Sequence, residues 1–183
     1  SRDRLEAVSL ELAWMGEARL LEAAVRRGCP VGAPVCAAAA MGGHEGILRW
    51  LRESEGCPED EGVCTGLACA GSLAALRRAR EERGVPWHLD TFSTAASAAA
   101  GRPHVASEAL YYLLDAGCPR PPCPWSFAVV QGRPEQLDRI LAAAPEDARG
   151  LRRIERLAAR QAPRDALGAL TAVLLRHGRR VDR

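Results

Sequence analysis

The sequence predicts an all-α protein, specifically an α-solenoid of stacked helix-turn-helix units. Residues 36–58, CAAAAMGGHEGILRWLRESEGCP, contain two helix-forming segments around a Gly-Gly-His corner and end in Gly-Cys-Pro. The Gly-X-Pro stop recurs at intervals of 28, 28 and 33 residues, with its glycines at Gly28, Gly56, Gly84 and Gly117. The corner glycine recurs in phase with it, at Gly16, Gly43, Gly71, Gly101 and Gly132. One such hairpin cannot bury its own apolar stripe, whereas a stack can, so this period indicates a repeat protein.

Each part of residues 36–58 has a local physical cause. The alanines at 37–40 favour helix and let a neighbouring helix approach closely. Gly42 and Gly43 are expected to supply the positive φ of a tight corner between two helices. Gly56 suits the left-handed position after a helix C-terminus, and Pro58 prevents the helix from resuming.

These residues resemble the ankyrin repeat, in which an Ala-rich first helix leads through a Gly-His corner into a Leu-rich second helix that ends in glycine. The match is closest to short, divergent ankyrin-like repeats with Gly-Cys-Pro ends, found in large arrays in some protists and algae, and covers about residues 10–145. The usual Thr-Pro-Leu-His opening is absent, and the 28-residue spacing leaves less chain for a β-hairpin finger than the family's period of about 33. The resemblance implies a rigid concave face, formed by the first helices and the turns, that binds another protein.

Five helix pairs are predicted in chain order, followed by a divergent terminal pair. Apolar residues at three- and four-residue intervals place the pairs at residues 5–30, 33–56, 61–83, 90–116 and 125–144. The proline-rich linker 119–124 excludes helix and ladder pairing before the fifth pair. Two more amphipathic helices follow residue 148, and their atypical sequence suits a terminal cap. We therefore divide the chain into ankyrin-like repeats, 1–148, and a basic C-terminal cap, 149–183.

One charged run lies in the third pair, between Arg77 and Arg83. It contains four arginines and two glutamates within seven residues. Such a run is expected to form a solvated helix face with local ion pairs, each contributing about 0.2–0.5 kcal/mol.

Positive charge is concentrated in the predicted cap. Residues 149–183 hold ten arginines against three acids, whereas residues 1–148 hold fifteen arginines against twenty acids. One interpretation is that a terminal cap needs a soluble outer face, which arginine supplies because the chain contains no lysine. The other is an electrostatic footprint for an acidic partner or RNA phosphate. The candidate RNA-binding residues are Arg149, Arg152, Arg153, Arg156, Arg160, Arg179 and Arg180.

The seven cysteines are interpreted as small packing residues, because the repeat itself explains the spacing of four of them. No Cys-x2-Cys knuckle is present, and the nearest cysteine pairs, Cys64 with Cys69 and Cys118 with Cys123, are five residues apart, which disfavours zinc. Disulfides are the weaker alternative. An odd count without a secretory signal favours a reducing intracellular compartment. The expected compartment is the cytoplasm, or an organelle in which a transit peptide has been removed from the imported chain. His44 and His104 are expected to brace corners through hydrogen bonds.

No motif supports catalysis, a cofactor or a small-molecule substrate, so we expect a non-enzymatic module. No apolar run has the length of about 18 residues that a membrane helix needs. The expected partner is a protein or a large complex. The alternative is a structural role in a ribonucleoprotein, with contacts to RNA backbone.

Candidate protein-binding residues lie on the predicted inter-repeat turns, where exposed side chains are expected. The two tryptophans are the strongest candidates, since aromatic residues dominate interface hot spots. Packing between adjacent turns is the competing explanation for them. The candidates are Val31, Glu59, Asp60, Trp87, His88, Arg120 and Trp125.

Overall fold

The structure is a computed structural model that describes residues 2–101, 103–143, 145–146 and 148–181. Within these ranges, side chains are described except at residues 100–107, 148 and 179–181. All regular secondary structure in the described chain is helical, which confirms the predicted all-α class. Among these helices we find none whose length and hydropathy would let it span a lipid bilayer.

The helices follow one another in pairs at the predicted places. The first three pairs are α1 (Arg2–Met15) with α2 (Ala18–Arg26), α3 (Ala33–Met41) with α4 (Glu45–Ser54), and α5 (Glu61–Ala70) with α6 (Leu73–Arg77). A single π-helical turn, Arg78–Glu82, continues α6. The later pairs are α7 (Thr91–Gly101) with α8 (Pro103–Asp115), α9 (Ser126–Val130) with α10 (Pro134–Ala143), and α11 (Ala148–Gln161) with α12 (Leu167–Val181).

The chain forms two compact units, Ser1–Leu113 and Leu114–Arg183. In the first unit, the first helices of successive pairs pack in series, α1 on α3, α3 on α5 and α5 on α7. In the second unit, α9 packs on α11 and α10 packs on α12. The two helices after residue 148 thus share a unit with the fifth pair, whereas the sequence analysis drew its boundary at 148/149.

Glycines provide most of the left-handed corners that the sequence predicted. The described glycines with positive φ include the stop glycines 28, 56, 84 and 117 and the corner glycines 16, 43, 71 and 132. Gly42 departs from the prediction, because its φ is −73°, and the predicted corner residue Gly101 is the last residue of helix α7. A Cβ at Gly42 would collide with the Trp14 carbonyl oxygen and the His44 ring. Gly42 is therefore required for close approach rather than for a left-handed backbone.

A second close helix contact in the first unit involves a glycine in the interior of α5. A Cβ at Gly66 would lie 2.7 Å from the Met41 backbone nitrogen and 2.8 Å from the Ala37 carbonyl oxygen. The small residues predicted to allow close approach thus lie where α3 and α5 meet. Helix α5 also meets α7 through the Thr65 and Thr91 hydroxyls, whose oxygens are 2.7 Å apart.

The charged run that begins at Arg77 does not form the expected set of local ion pairs. Arg78 Nη2 lies 3.0 Å from Glu45 Oε2 in α4, and Arg83 Nε lies 2.6 Å from Glu59 Oε2 in the preceding turn. Glu81 accepts a hydrogen bond from the Tyr112 hydroxyl at 3.0 Å. The run connects different helix pairs, because the π-helical turn breaks the i, i+4 spacing on which local pairs depend.

Candidate functional site

The first helix pair exposes apolar residues at repeat positions that are buried in the next two pairs. Val8, Val35 and Val63 each lie eight residues before a corner glycine. Val35 and Val63 are fully buried, whereas Val8 is 43% exposed. The same residue type in the same register thus has a different environment in the first pair.

The second helix of that pair differs in the same way. Leu20, Ile47 and Ala75 each lie four residues after a corner glycine. Leu20 is 56% exposed, whereas Ile47 and Ala75 are buried. Other exposed apolar residues of this pair are Leu5, Trp14 and Met15. We call Leu5, Val8, Trp14, Met15 and Leu20 the first-pair face.

A groove of ≈ 430 Å³ lies in the second unit, between the segment that enters α9 and the exposed side of α11. Its apolar lining comes from Cys123, Trp125 and Leu157. Its polar lining comes from Ser126, Arg153, Arg156, Arg160 and Gln161. We call it the α11 groove.

The arginines of α11 carry an unneutralised positive charge. Arg149, Arg153, Arg156 and Arg160 recur at intervals of four, three and four residues, and therefore lie along one stripe of the helix. Neither they nor Arg152 form an ion pair with a carboxylate of the described residues. Arg153 Nη2 is 3.7 Å from the Cys123 sulfur.

Trp125, a predicted protein-binding residue, is not the exposed turn residue that the sequence analysis expected. It is only 5% exposed, and its indole Nε1 donates a hydrogen bond to Glu146 Oε1 at 2.9 Å. A second Glu146 oxygen lies against Gly150 at the start of α11. Trp125 thus contributes a wall to the α11 groove and cannot act as a free anchor.

Glu59 and Asp60 have structural roles in the turn before α5. The Glu59 side chain is 7% exposed and lies between Arg83, at 2.6 Å, and Arg52, at 3.8 Å. Asp60 caps α5, since its Oδ1 accepts a hydrogen bond from the Gly62 amide at 2.9 Å. The carboxylate of Glu59 is therefore already neutralised within the first unit.

The predicted residues Trp87 and His88 lie in the loop before α7 and are half-buried. Trp87 packs edge-to-face on Tyr112 with ring centroids 6.3 Å apart, and the Arg80 guanidinium carbon lies 5.1 Å from its ring centre. His88 Nδ1 accepts a hydrogen bond from the Asp90 amide at 3.1 Å. Both residues thus contribute to packing around this loop.

The remaining residues that the sequence analysis singled out do not come together in one site among the described residues. Val31 is half-buried in the turn before α3, and Arg120 is exposed in the proline-rich linker. The side chains of Arg179 and Arg180, and that of His104, lie outside the described residues. The other corner histidine, His44, does brace a corner as predicted, through a contact with the preceding pair.

The first unit has a groove of ≈ 570 Å³ between α4 and α6, which is also lined by arginines. Here, however, Arg78 pairs with Glu45, while Arg52 and Arg83 both face Glu59. Because acids of the same unit neutralise three of the four arginines that line it, this groove is a weaker anion site than the α11 groove.

The cysteines of the described chain are all free thiols, and two of them are adjacent in the first unit. Burial and the neighbouring Cys57 raise the pKa of the Cys36 thiol to about 12, and burial also raises the pKa of Cys57. These thiols remain protonated at neutral pH and are poor nucleophiles or metal ligands. No cluster of three or more potential metal ligands occurs among the described residues.

The chain was compared with protein-family models and with curated proteins. No protein-family model matches the chain, and a search of curated proteins finds no significant match.

Proposed function

We propose that this chain is a non-enzymatic protein-binding module, a scaffold subunit of a larger assembly built as a solenoid of ankyrin-like repeats. The first-pair face is the single observation that carries the proposal. Val8 and Leu20 are about half exposed, although the equivalent residues of the next two pairs are buried. Large apolar side chains grouped on one surface mark protein interaction sites in soluble proteins.

The neighbour that suits this face is the surface of another helix pair. In the first unit, α3 is covered by α1 on one side and α5 on the other, whereas α1 has only α3 among the first helices of the described chain. Burying one Val or Leu side chain fully contributes about 1.5–3 kcal/mol. Val8 and Leu20 together would thus supply a substantial part of the binding free energy of a helical partner.

The test is the apparent mass of this 183-residue chain, produced with an affinity tag and mixed with an extract of its source cells. We expect the wild-type chain to elute well above its own 19.6 kDa on native size-exclusion chromatography. The double substitution Val8→Glu and Leu20→Glu should elute at the mass of the single chain. A wild-type protein that elutes at 19.6 kDa would sink the proposal.

Leu89→Glu provides the matched control. Leu89 is 76% exposed in the loop before α7 and is not part of the first-pair face. The control introduces the same chemical change and should leave the assembly intact. Thermal unfolding of each purified variant would separate lost binding from lost folding.

A second candidate function is a structural role in a ribonucleoprotein. The observation that favours it is the row of α11 arginines without a carboxylate partner among the described residues. Contacts of Arg with phosphate release counterions, so RNA affinity would fall steeply with salt. RNA binding at two salt concentrations, with Arg152, Arg153, Arg156 and Arg160 changed to Gln, tests this candidate.

A further inference from the structure

The α11 groove combines an apolar floor with a cationic rim. Leu157 lies between Arg156 and Arg160 on the helix and faces the same groove as Cys123 and Trp125. A ligand in this groove would therefore meet apolar surface at its centre and guanidinium groups beside it.

The rim charge is available to a ligand. Arg156 and Arg160 have no carboxylate partner within the described residues, and both are exposed. The nearby acid, Glu146, accepts the Trp125 indole hydrogen with one oxygen, its other oxygen lies against Gly150, and it forms no ion pair with Arg156 or Arg160 among the described residues. Guanidinium groups bind carboxylates and phosphates through paired hydrogen bonds.

The floor distinguishes between these two kinds of anion. An RNA backbone needs only cations, and its bases need an exposed aromatic face for stacking. The Trp125 ring is only 5% exposed, so it offers no such face. A peptide, by contrast, can place an apolar side chain over Leu157 and carboxylates on the flanking arginines.

We propose that the α11 groove binds an acidic peptide segment of a partner protein, with one large apolar side chain on the floor and carboxylates on Arg153, Arg156 and Arg160. This site is separate from the first-pair face and requires a partner of different chemistry. Its failure would leave the first-pair face untouched, because that face lies in the other compact unit.

The experiment uses the full chain and two labelled peptides of equal length, observed by fluorescence anisotropy. One peptide has glutamates around a single central leucine, and the other is all glutamate. We expect the leucine peptide to bind at least about ten-fold more tightly, since the floor adds apolar burial. Equal affinity for the two peptides would overturn the proposal, as would no binding of either.

Matched variants distinguish a site from general attraction. Arg156→Gln with Arg160→Gln should weaken leucine-peptide binding by at least about ten-fold. Arg152→Gln with Arg164→Gln removes the same charge from exposed residues that neither line the groove nor belong to the stripe of Arg149, Arg153, Arg156 and Arg160, and should change binding less than about three-fold. An equal loss in both variants would indicate nonspecific electrostatics and overturn the proposal.

Two further measurements test whether the peptide lies in the α11 groove and whether RNA binds there instead. Cys123 is half-buried in the groove, so bound leucine peptide should slow its alkylation while leaving that of the half-buried Cys29 unchanged. Unchanged Cys123 labelling would contradict binding in this groove. A single-stranded RNA that displaces the peptide and binds more tightly would make the groove part of an RNA interface instead.

Discussion

His44 Nε2 lies 3.0 Å from the backbone carbonyl oxygen of Trp14, thirty residues earlier in the chain. Because a carbonyl oxygen only accepts, the imidazole donates from Nε2. The same ring would collide with a Cβ at Gly16 or at Gly42. One histidine thus fastens the corner of the second helix pair to the corner of the first.

Replacing His44 with Ala should lower the free energy of unfolding by about 1–3 kcal/mol, because the Trp14 carbonyl loses its partner and the ring leaves a gap between two glycine corners. Chemical denaturation measures the change. His44→Gln, whose amide can still donate to the carbonyl, should recover part of the loss. Equal stability of the Ala variant and the wild type would show that this contact is not part of the cooperative structure.

Gly66→Ala should destabilise the first unit by about 1–3 kcal/mol, since the new methyl group would meet the backbone of α3. Gly46→Ala, also within a helix, is the control because no atom lies within 4 Å of the added Cβ. It should stabilise the protein by up to about 1 kcal/mol through helix propensity. Thermal and urea unfolding would detect these opposite signs, and two changes of the same sign would contradict the close approach of α3 and α5.

Alkaline pH should destabilise the first unit through Cys36. Its pKa is about 12 in the folded protein and 9.0 for an ordinary thiol. The unfolded chain therefore loses this proton first, and stability falls between these two values by up to about 1.4 kcal/mol per pH unit. Below the ordinary pKa the contribution is constant.

The measurement is urea unfolding across this alkaline range. Cys36→Ala should reduce the slope of stability against pH, whereas Ile47→Val removes buried volume without a titratable group and should keep it. Tyr112 adds a slope of the same sign, because burial and its hydrogen bond to Glu81 raise its pKa from 10.0 to about 12. An unchanged slope in Cys36→Ala would exclude this thiol as a source.

Glu59→Gln should cost about 1–2 kcal/mol of stability, since Arg83 would lose a carboxylate that is only 7% exposed. Glu45→Gln is the control, because its ion pair with Arg78 has both side chains more than two-fifths exposed. Solvent screening should limit the cost of that change to less than about 1 kcal/mol. A double-mutant cycle with Arg83→Gln measures the coupling, and a coupling near zero would contradict the pairing seen here.

Local sequence patterns predicted the helices well, because each helix pair has its own amphipathic stripe, corner and stop. The prediction for Gly42 was wrong because sequence cannot distinguish a glycine that adopts a positive φ from a glycine that lets two chain segments approach closely. The candidate site was predicted less well. Trp125 and Glu59 lie in turns, where exposure is the usual expectation, yet both side chains are buried by partners distant in sequence.

The sequence shows that Val8 aligns with Val35 and Val63, but it does not show that Val8 is exposed while the other two valines are buried. Whether an aligned residue is covered depends on which helix packs against it. The α11 groove was beyond sequence reasoning for a similar reason. Periodicity places Arg153, Arg156 and Arg160 on one stripe, but not the Cys123 and Trp125 that complete the floor.

The sequence by itself determined the all-helical class, the order of the helix pairs and their left-handed corners, because helix propensity, amphipathic period and glycine geometry act over a few residues. Only the tertiary structure decided which charges are neutralised and which apolar residues stay uncovered. Arg83 forms an ion pair with Glu59, whereas the α11 arginines form none with the carboxylates of the described residues. Such pairings join residues far apart in the chain, and only packing brings them within a few ångströms.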